Sequence, residues 1–288
     1  MDDFFDRLHN AQFELISEFD RVCRKYDIRY TMAYGTLLGA VRHKDFIPWD
    51  DDMDVYLSYG QIKKLIAHKD AFSEGFRLII PEDYGDRYCD FVPRLVYLDS
   101  RVRPADDPRQ NYYLGLRNHL QVDIFCLSPM PEGIPGKAHC AYLMFLYSMA
   151  NAFRWPGERL RENYSFTEKL ISLITQPAGS LLGIDRIRRL LRKEHERLSG
   201  IRSDKAVVTN NARKYFSQAF PRSAFGKRSE IPMHGKMFFA PADPDPVLSV
   251  LYGDYMKLPP EEERTSCSVD PEAFWVHMKD TEDLQDGK

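Results

Sequence analysis

The sequence has no cysteine pair, no basic excess and no apolar run long enough to span a bilayer, and each lack removes a class of function. Its five cysteines, Cys23, Cys89, Cys126, Cys140 and Cys267, are odd in number and widely spaced. With no C-x-x-C pair they offer neither a zinc site nor a disulfide framework, and reduced thiols in a cytoplasmic setting are expected. A net charge of −3 is not that of a dedicated nucleic-acid binder, which carries a strong basic excess. The first residues, Met1-Asp2-Asp3-Phe4-Phe5-Asp6, are acidic where a secretory leader is basic and then apolar, so export is not expected. The longest apolar stretch, between His139 and Arg154, includes Ser148 and Asn151 and falls short of the ~20 residues a spanning helix needs. A buried helix is expected there. Internal repeats and low-complexity tracts are also missing.

What is present suffices for a substantial core: 288 residues, 43% hydrophobic and 13% aromatic, enough for one large domain or two modest ones. Phe4, Leu8, Leu15, Phe19 and Val22 recur at helical spacing, which predicts an amphipathic helix ending near Lys25. Ile28 to Tyr34 reads as a strand running into a turn at Gly35, Thr36 to Arg42 as a short helix, and Gln61 to Ala71 as another. Asp52 to Leu57 alternates polar and apolar residues, as a half-buried strand does. Further strands are expected at Phe76 to Ile80, Phe91 to Leu98 and Leu120 to Phe125, separated by loops such as Pro104 to Pro108. Interspersed strands and helices predict an α+β core over residues 1–130. A mainly helical region over 131–205 follows, and then a C-terminal segment, 206–288, that packs back on the core.

The chemistry concentrates in Phe46-Ile47-Pro48-Trp49-Asp50-Asp51-Asp52-Met53-Asp54. An isolated aspartate run is usually a solvated turn. On a strand, however, residues two apart share a face, so Asp52 and Asp54 project together, Asp50 joins them if the strand begins early, and Asp51 faces away. Aligned carboxylates repel one another unless a cation compensates them, and Mg2+ or Mn2+ held by carboxylates and substrate phosphates is the usual solution. Asp123, a lone charge among the β-formers of Gln121-Val122-Asp123-Ile124-Phe125, is the candidate third ligand. Upstream, Gly35-Thr36-Leu37-Leu38-Gly39-Ala40-Val41-Arg42-His43 places a glycine-led turn before a helix, a geometry whose free N–H groups can hold phosphate. Arg42 and His43 could add positive charge there, though each is equally at home as a structural side chain; Arg94 and Arg117 are similar cases.

The segment from Tyr34 to Val55, with its GTLLGAVRHKDFIPWDDDMDV run, closely resembles the signature of the LicD family, bacterial phosphocholine transferases to which fukutin-type ribitol-phosphate transferases are related. Phe220-Pro221-Arg222 with Phe225-Gly226, and Tyr252 to Pro260, are similar to later parts of that family; Asp45 stands where a glycine is common. The resemblance implies a nucleotidyltransferase-like mixed sheet flanked by helices. In that fold Gly35 and Thr36 form the turn, Asp52 and Asp54 the carboxylate pair, and Asp123 the later aspartate. It also implies a CDP-linked alcohol donor, typically CDP-choline, a hydroxyl acceptor on a cell-surface glycan or its lipid-linked precursor, and CMP as the leaving product. Asp50 or Asp51 would act as general base.

Three other readings compete. A nucleotidyltransferase would make a CDP-linked product from CTP with the same metal geometry. A sugar-nucleotide glycosyltransferase would use Asp52-Met53-Asp54 as its metal motif, which the upstream glycine turn disfavours. A non-enzymatic glycan- or nucleotide-binding protein would keep the fold, against which the intact Asp52, Asp54 and Asp123 count.

Choline would sit against aromatic faces, for which Tyr34, Trp49, Tyr84, Tyr88, Tyr112, Tyr113 and Trp155 are candidates. The basic stretch from Asp185 to Lys193 is by default a solvated helix face, with contact to an anionic acceptor or to the membrane surface, at the inner face of the plasma membrane, as the alternative. The Tyr252 to Pro260 loop, with Arg264 beyond it, is expected to close over the site.

Overall fold

The computed structural model describes residues 2–103, 115–154, 165–211, 218–264 and 268–276. The chain opens with α1 (Asp2–Lys25), whose Leu8, Leu15, Phe19 and Val22 are buried at the predicted spacing. The turn after it leads into β1 (Thr31–Met32), α2 (Tyr34–Arg42) and β2 (Met53–Leu57). Next come α3 (Tyr59–Ala67), β3 (Phe76–Ile79), β4 (Arg94–Tyr97), the short β5 (Ser100–Arg101) and the long β6 (Leu120–Pro129).

A helical region follows: α4 (Gly133–Arg154), α5 (Phe166–Leu182) and α6 (Ile184–Ser199). The chain then returns through β7 (Lys205–Val208) and β8 (Phe220–Pro221), a hairpin of β9 (Ser229–Met233) and β10 (Lys236–Ala240), α7 (Asp245–Tyr252), and β11 (Trp275–Val276), which pairs with β5. The mixture of helices and a mixed sheet is the α+β class.

The main sheet runs β1-β2-β6-β4-β3, with β7 and β8 joined to it at the far end of β6. Only the β2–β6 pairing is parallel among the strands of that path, and its register sets Asp54 beside Asp123. β2 differs from the half-buried strand its alternation predicts, since all five of its residues are buried. The reason is its central position, between β1 and β6 with helices covering the sheet. Asp54 is therefore an acid inside the sheet layer rather than on a solvated face.

Asp51 ties residues 268 and 269 of the C-terminal segment to the acidic run. Buried beside the cleft, the Asp51 carboxylate accepts the backbone N–H groups of Ser268 and of Val269, the latter at 2.8 Å. A second apolar cluster joins the helical region to the sheet through Phe91, Met130, Leu146, Ile187 and Val207. The apolar stretch around His139 is a helix, α4, but not a buried one: Leu143, Leu146 and Met149 face inward while Tyr142 and Phe145 are exposed. No described helix is long and apolar enough to cross a membrane.

Candidate active site

Two short hydrogen bonds fasten the glycine turn to the acidic strand. Ala33, just before α2, donates its N–H to the Asp54 carbonyl at 3.0 Å, and the Asp54 N–H donates to the Thr36 hydroxyl at 2.9 Å. Thr36 is buried. Its hydroxyl thus fixes the backbone of the aspartate strand. Leu37 makes the first N–H bond back along α2, to Ala33, so the amides of Gly35 and Thr36 lie in a first turn that supplies no intrahelical acceptor.

Gly35 lies against Asp50. A Cβ on Gly35 would stand 2.3 Å from Asp50 Oδ2, whereas one on Gly39, a turn later, would strike backbone at Asp45 O, 2.6 Å away. The first neighbour is a movable side chain and the second is not. Gly35→Ala is therefore expected to displace Asp50 and cut activity by about tenfold or more while changing stability by under about 1 kcal/mol. Gly39→Ala is expected to cost about 1–3 kcal/mol by overpacking. Parallel measurement of activity and of the thermal midpoint separates the two.

Asp50, Asp52 and Asp54 line one cleft of about 710 Å3 together with Tyr34, Arg42 and Trp49. Its opposite wall is the 251–260 segment, including Tyr252, Asp254, Tyr255 and Lys257. The closing loop expected from the sequence is thus in place, tied by the Arg42 guanidinium, which donates to the Tyr255 carbonyl at 2.9 Å. Burial and the nearby Arg264 lower the Arg42 pKa, partly offset by Tyr252. His43 is not among the cleft residues. It receives the Arg42 Nε–H at 3.0 Å and meets Trp49 edge-on, and burial followed by Arg42 lowers its pKa.

Burial raises the pKa of Asp54 well above the carboxylate range, and Asp52, Asp123 and Asp50 push it further, against Arg94 alone. Arg94, only 3% exposed, is the counter-charge. Its Nε meets Asp123 Oδ1 at 2.6 Å, its Nη1 meets Asp90 Oδ2 at 3.0 Å, and it also donates to the Tyr88 hydroxyl and the Val92 carbonyl. Burial alone would lower its pKa, but Asp123, Tyr88 and Asp90 outweigh that and hold the guanidinium charged. Arg117 reaches the same Asp90 at 4.0 Å. The partners of both arginines are carboxylates, Asp123 and Asp90 for Arg94 and Asp90 for Arg117.

Asp123 thus stands beside Asp54 by register, but both its oxygens are engaged by Arg94, at 2.6 and 3.3 Å. Among the described residues no group of three or more histidine, cysteine, aspartate or glutamate side chains forms a metal cage. Asp52 and Asp54 do fit a hard cation that completes its shell with substrate oxygens, because they gather more negative charge than Arg94 offsets.

Of the aromatic candidates, Tyr34 and Trp49 line the cleft, and the loop adds Tyr252 and Tyr255, which the sequence reading did not single out as rings. Tyr84 and Tyr88 pack on each other away from it, with Tyr88 fully buried on Arg94. Tyr112, Tyr113, Trp155 and the loop from Pro104 to Pro108 lie outside the described residues. A second hollow, about 590 Å3, opens between α3, α6 and the 81–87 turn. The charges around it neutralise one another in pairs, Lys69 with Asp83 and Arg192 with Glu82. The acids needed for phosphoryl chemistry belong to the first cleft.

The profile described as LicD/FKTN/FKRP, nucleotidyltransferase domain, matches residues 27–85, the span that holds Gly35, Thr36, Asp52 and Asp54. The chain is also 25% identical over 261 residues to the lipopolysaccharide cholinephosphotransferase LicD of Haemophilus influenzae, covering 87% of this chain and 90% of that protein. Over these spans the chain is similar to the LicD family. Asp123, on β6, falls beyond the span of the LicD profile, so its place in the site rests on sheet register. The chain is also 44% identical over 70 residues to an uncharacterized protein of Rickettsia typhi, 24% of this chain and 19% of that one.

Proposed function

We propose that this chain is a LicD-family transferase that moves a phospho-alcohol, phosphocholine, from CDP-choline to a hydroxyl of a cell-surface glycan or its lipid-linked precursor, releasing CMP. The observation that carries this reading is the composition of one cleft: carboxylates Asp50, Asp52 and Asp54 face the rings of Tyr34, Trp49, Tyr252 and Tyr255. Acids with aromatic faces suit a quaternary ammonium, which is held by ring quadrupoles and by negative charge. The likeness to the Haemophilus lipopolysaccharide enzyme supports the same reading.

In the reaction the acceptor oxygen bonds to the phosphorus nearest choline, the bond from that phosphorus to the bridging oxygen breaks, and CMP leaves with the electron pair. The acceptor proton passes to Asp50. Asp51 is unsuited to that role, being spent on the amides of Ser268 and Val269. The first turn of α2, with Gly35 and Thr36, faces the donor phosphates, and Arg42 and Lys257 supply positive charge in the cleft. Mg2+ or Mn2+ on Asp52 and Asp54 would supply charge that offsets the diphosphate and the leaving group. Asp123, held by Arg94, keeps the field at Asp54 negative, which would favour a cation there. We place the reaction in the cytoplasm, in keeping with four free thiols among the described residues.

The test is a donor screen. Purified protein with Mg2+ or Mn2+ is given CDP-choline, CDP-ethanolamine, CDP-glycerol and CDP-ribitol with glycan acceptors, and CMP is measured. CDP-choline is expected to turn over fastest. Pyrophosphate released from CTP would instead assign nucleotidyl transfer, and no turnover of any CDP-alcohol would refute the proposal.

A further inference from the structure

The helical region is inverted relative to a helix packed in water. Among the described residues, nine of the fifteen large apolar side chains that are exposed lie on α4 and α5. On α5, Phe166 is 82% exposed, Ile174 65% and Leu181 88%, with Leu170, Ile171 and Leu173 exposed between them. The polar residues of the same helix, Ser172, Thr175 and Gln176, are buried. Thr175 shares a 2.6 Å hydroxyl contact with Ser148 of α4, and the backbones close up at Gly179, where a Cβ would stand 2.1 Å from Met149 O.

A helix in water turns its apolar stripe to the core. Hydroxyls and glycine between helices, with Leu, Ile and Phe outside, is the packing used where the surroundings are lipid. From Ile171 to Leu182 α5 carries no charge. Basic side chains flank that stretch: Lys169 before it, and exposed Arg186, Arg189 and Lys193 on α6 after it. None of the four pairs with a carboxylate among the described residues.

We propose that the outer face of α4 and α5 docks the protein on an anionic lipid bilayer, with α5 lying in the interface and the α6 arginines on the headgroups. With 17 residues and no membrane-crossing helix among those described, α5 lies in the surface and does not span it. Charge favours lipid over a second copy of the chain, because a two-fold contact through α5 would bring the unpaired arginines of both copies together. The docking does not depend on which group the cleft transfers.

The experiment is flotation of the full chain with vesicles of phosphatidylethanolamine and phosphatidylglycerol, and with phosphatidylcholine alone. Wild-type protein is expected to float with the anionic vesicles. The Leu170→Glu/Ile174→Glu variant should lose binding by on the order of tenfold or more, with its unfolding midpoint unchanged in solution. Arg186→Glu/Arg189→Glu should lose the preference for anionic lipid. Should the first variant unfold early, Ile174→Trp replaces it: a blue shift and quenching by brominated lipid are expected, and an unchanged spectrum overturns the proposal. It is equally overturned by absence of flotation, by equal flotation of the glutamate variant, or by a wild-type dimer that the glutamates disperse without any vesicle binding.

Discussion

Replacing Asp54 with asparagine is expected to abolish transfer, a loss on the order of a thousandfold or more, while raising the thermal midpoint of the metal-free protein by a few degrees. Both effects have one cause. Asp54 is buried between Asp52, Asp123 and Asp50, with Arg94 as the opposing charge. Its carboxylate is costly to the empty fold because it is desolvated among like charges, and the same charge is what a cation and a diphosphate need. Asparagine keeps the shape and removes the repulsion. Addition of Mg2+ or Mn2+ should raise the midpoint of the wild type and leave that of Asp54→Asn unmoved. A variant that melts lower and still transfers would place Asp54 among structural residues.

Arg94→Met is the opposite experiment. Here an arginine beneath the site, bonded to Asp123 and facing Asp90, is exchanged for an apolar chain. Asp123, the neighbour of Asp54 in register, loses its arginine, and Asp90 keeps only Arg117 at 4.0 Å. Breaking a buried pair from one side costs about 3–5 kcal/mol, which in a chain of this size lowers the midpoint by on the order of ten degrees. Activity should fall with it. The double variant Arg94→Met/Asp123→Leu removes the stranded acid too and should recover part of the stability but none of the activity. Chemical denaturation of the two variants separates the contributions. Equal stability of wild type and Arg94→Met would contradict the assignment of Arg94 as the counter-charge.

The parts of this account legible in the sequence are those with a local cause. The period of α1, the glycine-led start of α2, and the acids at Asp52 and Asp54 all follow from spacing over a few residues. Asp123 was legible as an isolated charge in a β run; that it meets Asp54 is a matter of β2–β6 register, which no local pattern encodes. Arg94 was weighed as a phosphate contact because its partners, Asp123 and Asp90, come from a neighbouring strand and from its own preceding loop. Asp50 and Asp52 line the cleft and Asp51 does not, as read, but all three precede β2 and so owe this to the loop rather than to strand alternation; the bond of Asp51 to Ser268 and Val269 joins residues over two hundred apart. The helix expected to be buried between His139 and Arg154 was misread because a run of apolar residues does not say which of them meet the core: Leu143, Leu146 and Met149 do, whereas Tyr142 and Phe145 are exposed.

The most direct test of the central claim follows phosphorus by NMR in a mixture of protein, Mg2+, CDP-choline and a lipopolysaccharide acceptor. Loss of the diphosphate signals, with matching growth of CMP and a new phosphodiester, and neither with Asp54→Asn, is the result predicted. Conversion at the same rate by Asp54→Asn, or CDP-choline left intact while CTP yields pyrophosphate, would contradict it.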